Sequence, residues 1–189
     1  MSLLVKEARL FAANAHAAAR QCRKYTYEPY IMHPFRVAGL VATVPHTEEM
    51  LAAAWLHDTV EDTLVTLQDI RERFGETVSM MVAWMTDVRP VMGNRAAKVE
   101  QNRLRLVGAP PEVKTIKLAD LLDNVSCITK YDTQFAFTYL EEKYAVLGVL
   151  TQADPTLFAK ANEAILLCAG QIGLSLKRIS QDIRQRAAA

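Results

Sequence analysis

The chain has 189 residues, 51% of them hydrophobic and 23% charged, with a formal net charge of +1. At about 100–200 residues per domain this reads as one compact domain, 1–189, able to bury a core without a disulfide or structural-metal staple. Its apolar content and low net charge exclude an intrinsically disordered chain and give no reason to expect a general nucleic-acid binder.

The residue pattern predicts an all-α helical bundle. Ala, Leu, Met, Glu, Gln, Lys and Arg dominate, β-rich alternating runs are scarce, and Pro and Gly mark the breaks. A first helix is expected from Ser2 to about Cys22, with Leu4, Ala8, Phe11, Ala12 and Ala15 on one face. Arg23 to Tyr30 reads as a loop, since the residue before Pro29 is biased away from helix. A second helix is expected to start near Pro34 and end near Pro45. Thr47 can cap a third, with Glu48 and Glu49 in its first turn and Leu51 to Val60 in its body. Thr66 and Asp69 have the spacing of a capping box for a helix that Gly75 stops after Phe74, and another helix follows to about Thr86.

Asp87 to Gly93 reads as a loop, Asn94 to Leu106 as a basic helix, and Gly108-Ala109-Pro110-Pro111 as a break. An apolar helix is expected from Glu112 to about Ile128, then two more that separate near Ala153-Asp154-Pro155. The tail, about 178–189, is polar and expected to fray. The longest uncharged stretch, Ala164 to Leu176, falls short of the roughly 20 residues that span a bilayer. Lys6, Glu7 and Arg9 break up any secretory leader, and Cys22, Cys127 and Cys168 are odd in number with no CxxC spacing. These features point to a cytoplasmic protein with no membrane or nucleic-acid partner.

Two apolar helices carry acids where the pattern calls for core. Leu51-Ala52-Ala53-Ala54-Trp55-Leu56 runs into His57-Asp58-Thr59-Val60-Glu61-Asp62, and a helix apolar on most faces is buried. Burying Asp58 without a cation, a hydrogen-bond network or a metal is costly. Glu61 lies one helical turn beyond His57, and Asp62 one turn beyond Asp58. In the second helix Asp120 sits among Ile116, Leu118, Ala119, Leu121 and Leu122, one turn after Lys117 and one before Asn124. Each feature has an ordinary reading: a helix-end His-Asp pair, an Asp120–Lys117 ion pair, a capping or packing His33. His16 reads as a packing or hydrogen-bonding residue, and Trp55, Trp84, Met80 and Met81 as core. Taken together, His33, His57, Asp58 and Asp120 make a mixed nitrogen and oxygen set suited to Mn²⁺, Fe²⁺ or Zn²⁺. No thiol belongs to it, unlike a structural zinc site.

The same residues, in this order, resemble the HD-domain metal-dependent phosphohydrolases. Arg23-Lys24, Pro29-Tyr30-Ile31-Met32-His33-Pro34 and Val37-Ala38 are similar to the RKxGxPYIxHPxxVA pattern of the Rel/Spo branch. Ala54-Trp55-Leu56-His57-Asp58-Thr59-Val60-Glu61-Asp62-Thr63 is similar to its AxLHDTVEDT stretch, and Lys117-Leu118-Ala119-Asp120 with Asn124 to its KLADxxxN motif. The likeness runs from about Phe11 to Val149. It implies an HD-domain bundle of about eight to ten helices and a stand-alone small alarmone hydrolase, since the chain is too short to add a synthetase domain.

The resemblance implies that His33, His57, Asp58 and Asp120 ligate Mn²⁺. Glu61 and Asp62 would orient and activate the attacking water. Arg23, Lys24, Lys98, Arg103 and Asn124 would bind the nucleotide. The implied reaction removes the 3′-pyrophosphate of guanosine tetra- or pentaphosphate, (p)ppGpp, to give GDP or GTP. Departures from the pattern bear on substrate preference. Tyr27 stands where the family has Gly in a loop one residue longer, Asp123 adds an acid, and Val125-Ser126 replaces an apolar-Arg pair. The alternatives are an HD hydrolase acting on NADPH 2′-phosphate or a nucleoside monophosphate, an alarmone-binding sensor without turnover, and a helical protein without a site.

Overall fold

The structure is a computed structural model that describes residues 2–88, 94–126 and 128–176. Among these residues there are ten α-helices, and the sole β feature is an isolated bridge between Cys22 and Pro29. The expected tail and most of the loop before Asn94 lie outside the described residues. No described helix is long and apolar enough to cross a membrane. Contacts divide the chain into two compact units, Met1–Asp87 and Val88–Ala189.

The first unit holds α1 (Leu3–Ala18), α2 (Met32–Val41), α3 (Glu48–Leu56), α4 (Thr59–Asp62) and α5 (Leu67–Met85). Helix α3 is its centre and packs against α1, α2 and α5. Ala52, Ala53, Ala54 and Leu56 are fully buried, because three successive alanines let neighbouring helices approach from several sides. Thr47 caps α3 through a bond from the Met50 amide, as the sequence suggests. Thr66 and Asp69 form the expected capping box of α5. Gly75 then interrupts α5 with φ +86°, a conformation that glycine adopts without the steric penalty other residues meet. The buried face of α1 is Val5, Ala8, Ala12 and His16, a rotation from the predicted face. Helix α2 begins at Met32, ahead of Pro34. Met81 is buried but Met80 is exposed, correcting its placement in the core.

The second unit holds α6 (Arg95–Val107), α7 (Pro111–Val125), α8 (Ile128–Tyr131), α9 (Thr133–Leu147) and α10 (Pro155–Gln171). Helix α7 packs on α8, α9 and α10, and α6 packs on α9. Ile116, Leu118, Leu140, Leu147, Leu150, Leu157 and Ile165 are among its fully buried core residues. Asn94 caps α6 and Asp154 caps α10, and Pro111 opens α7 where a missing amide hydrogen costs nothing.

Candidate metal centre

The motif His57-Asp58 does not lie inside a continuous helix. His57 ends α3 and Asp58 precedes α4 with φ −99° and ψ −5°. The Thr59 hydroxyl donates to the Leu56 carbonyl at 2.7 Å and takes an acceptor of the last turn of α3. The expectation of one helix through Val60 is therefore corrected, and the break turns His57 and Asp58 toward the same point. Helix α2 brings His33 there from its first turn.

Three donor atoms converge. The Nε2 atoms of His33 and His57 stand 3.2 Å apart, and Asp58 Oδ2 lies 3.4 Å from the first and 3.1 Å from the second. Both imidazoles are buried, at 0% and 1% exposure. Donors about 2.1 Å from one first-row ion are roughly 3.0–3.4 Å from each other, from adjacent octahedral to tetrahedral positions. The triangle thus fits one face of a single divalent cation. His57 Nδ1 is 2.9 Å from the Ala54 carbonyl, which only accepts, so in the neutral ring Nδ1 carries the proton and Nε2 presents its lone pair. The Tyr30 hydroxyl donates to Asp58 Oδ2 at 2.6 Å, and its ring lies against His16 and His33. Among the described residues, His33, His57 and Asp58 are a cluster able to hold a divalent metal.

The acidic pair follows on α4. The Asp87 amide donates to Glu61 Oε2 at 3.1 Å. Gln21 Nε2 donates to Asp62 Oδ2 at 2.8 Å, and Asp62 is exposed. His16, read from sequence as packing or hydrogen-bonding, is 1% exposed with Nδ1 2.7 Å from Gln21 Oε1. Burial pushes its imidazole pKa down, against the opposing pull of Gln21 and of the Asp58 and Asp62 carboxylates. Arg23 and Lys24 lie in the loop before α2. Backbone bonds from Arg23 N to Glu28 O and from Tyr27 N to Arg23 O close that loop. Lys24 Nζ sits 4.8 Å from the Tyr25 ring centroid. Tyr27, at the position of the family's glycine, holds φ +57°. The loop keeps a left-handed backbone there without the residue that suits it.

The remaining sequence-read residues belong to the second unit. Asp120 is buried on α7, with Lys117 Nζ 2.8 Å from Oδ2 and Asn124 Nδ2 2.5 Å from Oδ1. The ion pair weighed from the sequence is thus present. Arg103 clasps Glu100 in a two-pronged pair at 2.7 and 2.6 Å, which holds the Glu100 carboxyl below its usual range. Lys98 lies on α6 and is half-buried. Asp123 is buried at 7% exposure. Sequence reasoning gave no role to Tyr30 or Gln21. Tyr30 lay within a quoted motif, but its hydroxyl partner is 28 residues away.

Comparisons with known proteins agree with this geometry. An HD-domain family model matches residues 8–147. The chain is 39% identical over 125 residues to a guanosine-3′,5′-bis(diphosphate) 3′-pyrophosphohydrolase of Aquifex aeolicus, covering 66% of this chain and 18% of that protein. It is 40% identical over 100 residues to a GTP pyrophosphokinase of Streptomyces coelicolor, covering 52% of this chain and 12% of that protein. The chain therefore spans less than a fifth of the length of these curated relatives. It also resembles the solved structure of a metazoan ortholog of SpoT described as hydrolysing ppGpp and playing a role in starvation responses. That match has 27% identity and a TM-score of 0.81, covering 93% of this chain and 98% of the other. The chain belongs to the HD-domain family and is related to the Rel/SpoT family of (p)ppGpp hydrolases and synthetases.

Proposed function

We propose that the chain is a Mn²⁺-dependent hydrolase that releases pyrophosphate from the 3′ position of (p)ppGpp, leaving GDP or GTP. The observation that carries this reading is the convergence of His33, His57 and Asp58, followed on the next helical turn by the anchored acids Glu61 and Asp62. Such a set of residues suits hydrolysis better than pyrophosphate transfer between nucleotides, because hydrolysis calls for proton acceptors that serve an activated water. The hydrolytic description of the metazoan relative, which the match covers almost fully, supports the same choice.

His33, His57 and Asp58 would hold the cation, with Asp120 as the fourth ligand implied by the motif. A divalent metal there supplies Lewis acidity toward phosphoryl oxygen and lowers the pKa of water. Glu61 and Asp62 take the proton of the attacking water and keep its oxygen aimed at phosphorus. The new bond forms to the phosphorus on the 3′-oxygen, the bond to that oxygen breaks, and the 3′-oxygen is protonated as it leaves. Arg23, Lys24, Lys98 and Arg103 balance phosphoryl charge, and Asn124 holds the nucleotide. For Arg103 this requires exchange of its Glu100 partner for phosphate.

The test strips the protein with chelator, restores Mn²⁺, adds ppGpp and separates products by chromatography. GDP and pyrophosphate formed only with metal are expected. Intact ppGpp with metal bound and the protein folded would refute the reading. In that event turnover of NADPH 2′-phosphate or a nucleoside monophosphate would reassign the substrate, and tight ppGpp binding without product would indicate a sensor.

A further inference from the structure

Asp62 is the exposed acid of the pair, and exposure alone would leave its carboxylate free to turn. Gln21 restrains it through the 2.8 Å bond from Nε2 to Oδ2. A carboxylate only accepts, so the amide nitrogen of Gln21 must face Asp62 and its Oε1 must face the other way. That oxygen lies 2.7 Å from His16 Nδ1. An amide oxygen also only accepts, so Nδ1 carries the proton of the His16 ring. Nε2 is then the bare nitrogen, and it is buried with no hydrogen-bond partner among the described residues.

The backbone fixes the middle of this chain of groups. Arg20 takes φ +51° at the end of α1, and the Gln21 amide donates back to the His16 carbonyl at 3.1 Å. The Gln21 carbonyl accepts from the Tyr30 amide at 3.1 Å. Gln21 is thereby tied to the last turn of α1 and to the residue whose hydroxyl holds Asp58. The His16 end of this relay is buried and the Gln21 backbone is bonded on both sides, and the exposed end is the carboxylate assigned to the water.

We propose that His16 and Gln21 are positioning residues for Asp62. The donor relay His16 Nδ1–H to Gln21 Oε1, then Gln21 Nε2–H to Asp62 Oδ2, holds the acid in one orientation and leaves Oδ1 to receive the proton of the attacking water. Their effect on catalysis rests on the hydrolase reading above, whereas the relay itself does not.

Two measurements on the full chain test this separately. In the metal-free protein labelled with ¹⁵N-histidine, His16 is expected to show a proton-bearing Nδ1 and a bare Nε2, its signals assigned by their loss in His16→Asn. A proton on Nε2 instead would overturn the relay whatever the substrate. In Mn²⁺-dependent turnover of ppGpp, Gln21→Met is expected to lower kcat about 10- to 100-fold, the size of effect that misplacing a reacting group produces, with KM within about twofold. Gln21→Glu, which cannot donate to Asp62 and sets a like charge beside it, falls at least as far. In an Asp62→Asn background Gln21→Met adds nothing further, because both changes remove the same interaction. A wild-type kcat in Gln21→Met, or full additivity with Asp62→Asn, would overturn the positioning role. Wild-type protein that leaves ppGpp intact would sink the hydrolase reading while the imidazole spectra still judge the relay.

Discussion

Replacing Tyr30 with Phe removes one hydroxyl and keeps the ring contacts to His16 and His33. That hydroxyl donates at 2.6 Å to Asp58 Oδ2, the oxygen that also faces both imidazole Nε2 atoms. A carboxylate oxygen has two lone-pair directions, and Tyr30 occupies one, so the other is left aimed at the cation. Loss of such an outer partner lowers metal affinity about 10- to 100-fold, or about 1.4–2.7 kcal/mol. At a Mn²⁺ concentration 100 times the wild-type Kd, binding stabilises the wild-type fold by about 2.7 kcal/mol. A variant ten times weaker gains about 1.4 kcal/mol, and one a hundred times weaker about 0.4 kcal/mol. At about 2–4 °C per kcal/mol for a chain of this length, Mn²⁺ raises the wild-type Tm by about 5–11 °C. For Tyr30→Phe the rise is about 1–6 °C. Differential scanning calorimetry with and without Mn²⁺ measures both shifts, and using the difference cancels any change in the metal-free protein. An undiminished Mn²⁺-induced shift in Tyr30→Phe, with an unchanged Kd by titration calorimetry, would refute the argument that this hydroxyl orients a metal ligand.

Other outcomes follow from the same structure. Glu61→Gln keeps an oxygen for the Asp87 amide. It should keep the Mn²⁺-induced shift while kcat for ppGpp falls about 10²–10⁴-fold, and retention of wild-type turnover would remove Glu61 from the proton-accepting pair. Tyr27 is exposed and holds φ +57°, which costs a side-chain-bearing residue about 1–2 kcal/mol. Tyr27→Gly should be as stable as wild type or up to about 1 kcal/mol more so, and Tyr27→Val less stable by about 1 kcal/mol, in urea unfolding. Equal stability of the Val and Gly variants would deny the strain. His16 has a lowered pKa in the folded protein, chiefly from burial. Below its unfolded value of about 6.5 the unfolded chain binds a proton that the folded chain resists, so this contribution is complete above that pH and is lost as pH falls toward the folded pKa. Urea unfolding between pH 7.5 and 5 should show a slope of up to about 1.4 kcal/mol per pH unit that His16→Asn flattens, and an unchanged slope in the variant would contradict it.

The features legible in the sequence are those whose partners lie within one helical turn. Thr66 and Asp69 satisfy each other three residues apart, and Thr47 takes the amide of Met50 at the same spacing, so these caps could be read directly. Gly75 announced its own interruption because few other residues tolerate its backbone. The motifs likewise name His33, His57 and Asp58 from the sequence alone. Tertiary structure decided what those residues do to one another. The His57–Asp58 break could not be read from periodicity, because an apolar run gives no sign of where a threonine hydroxyl will take a carbonyl. The face that α1 buries is legible only in part: Ala8 and Ala12 are buried as expected, but Val5 stands in for Leu4, since the two are equally apolar and only packing against α3 chooses between them. Tyr30 meets Asp58 across 28 residues and Gln21 meets Asp62 across 41. Such pairs leave no local pattern, because the folded backbone and not the spacing along the chain sets the distance between a donor and its acceptor.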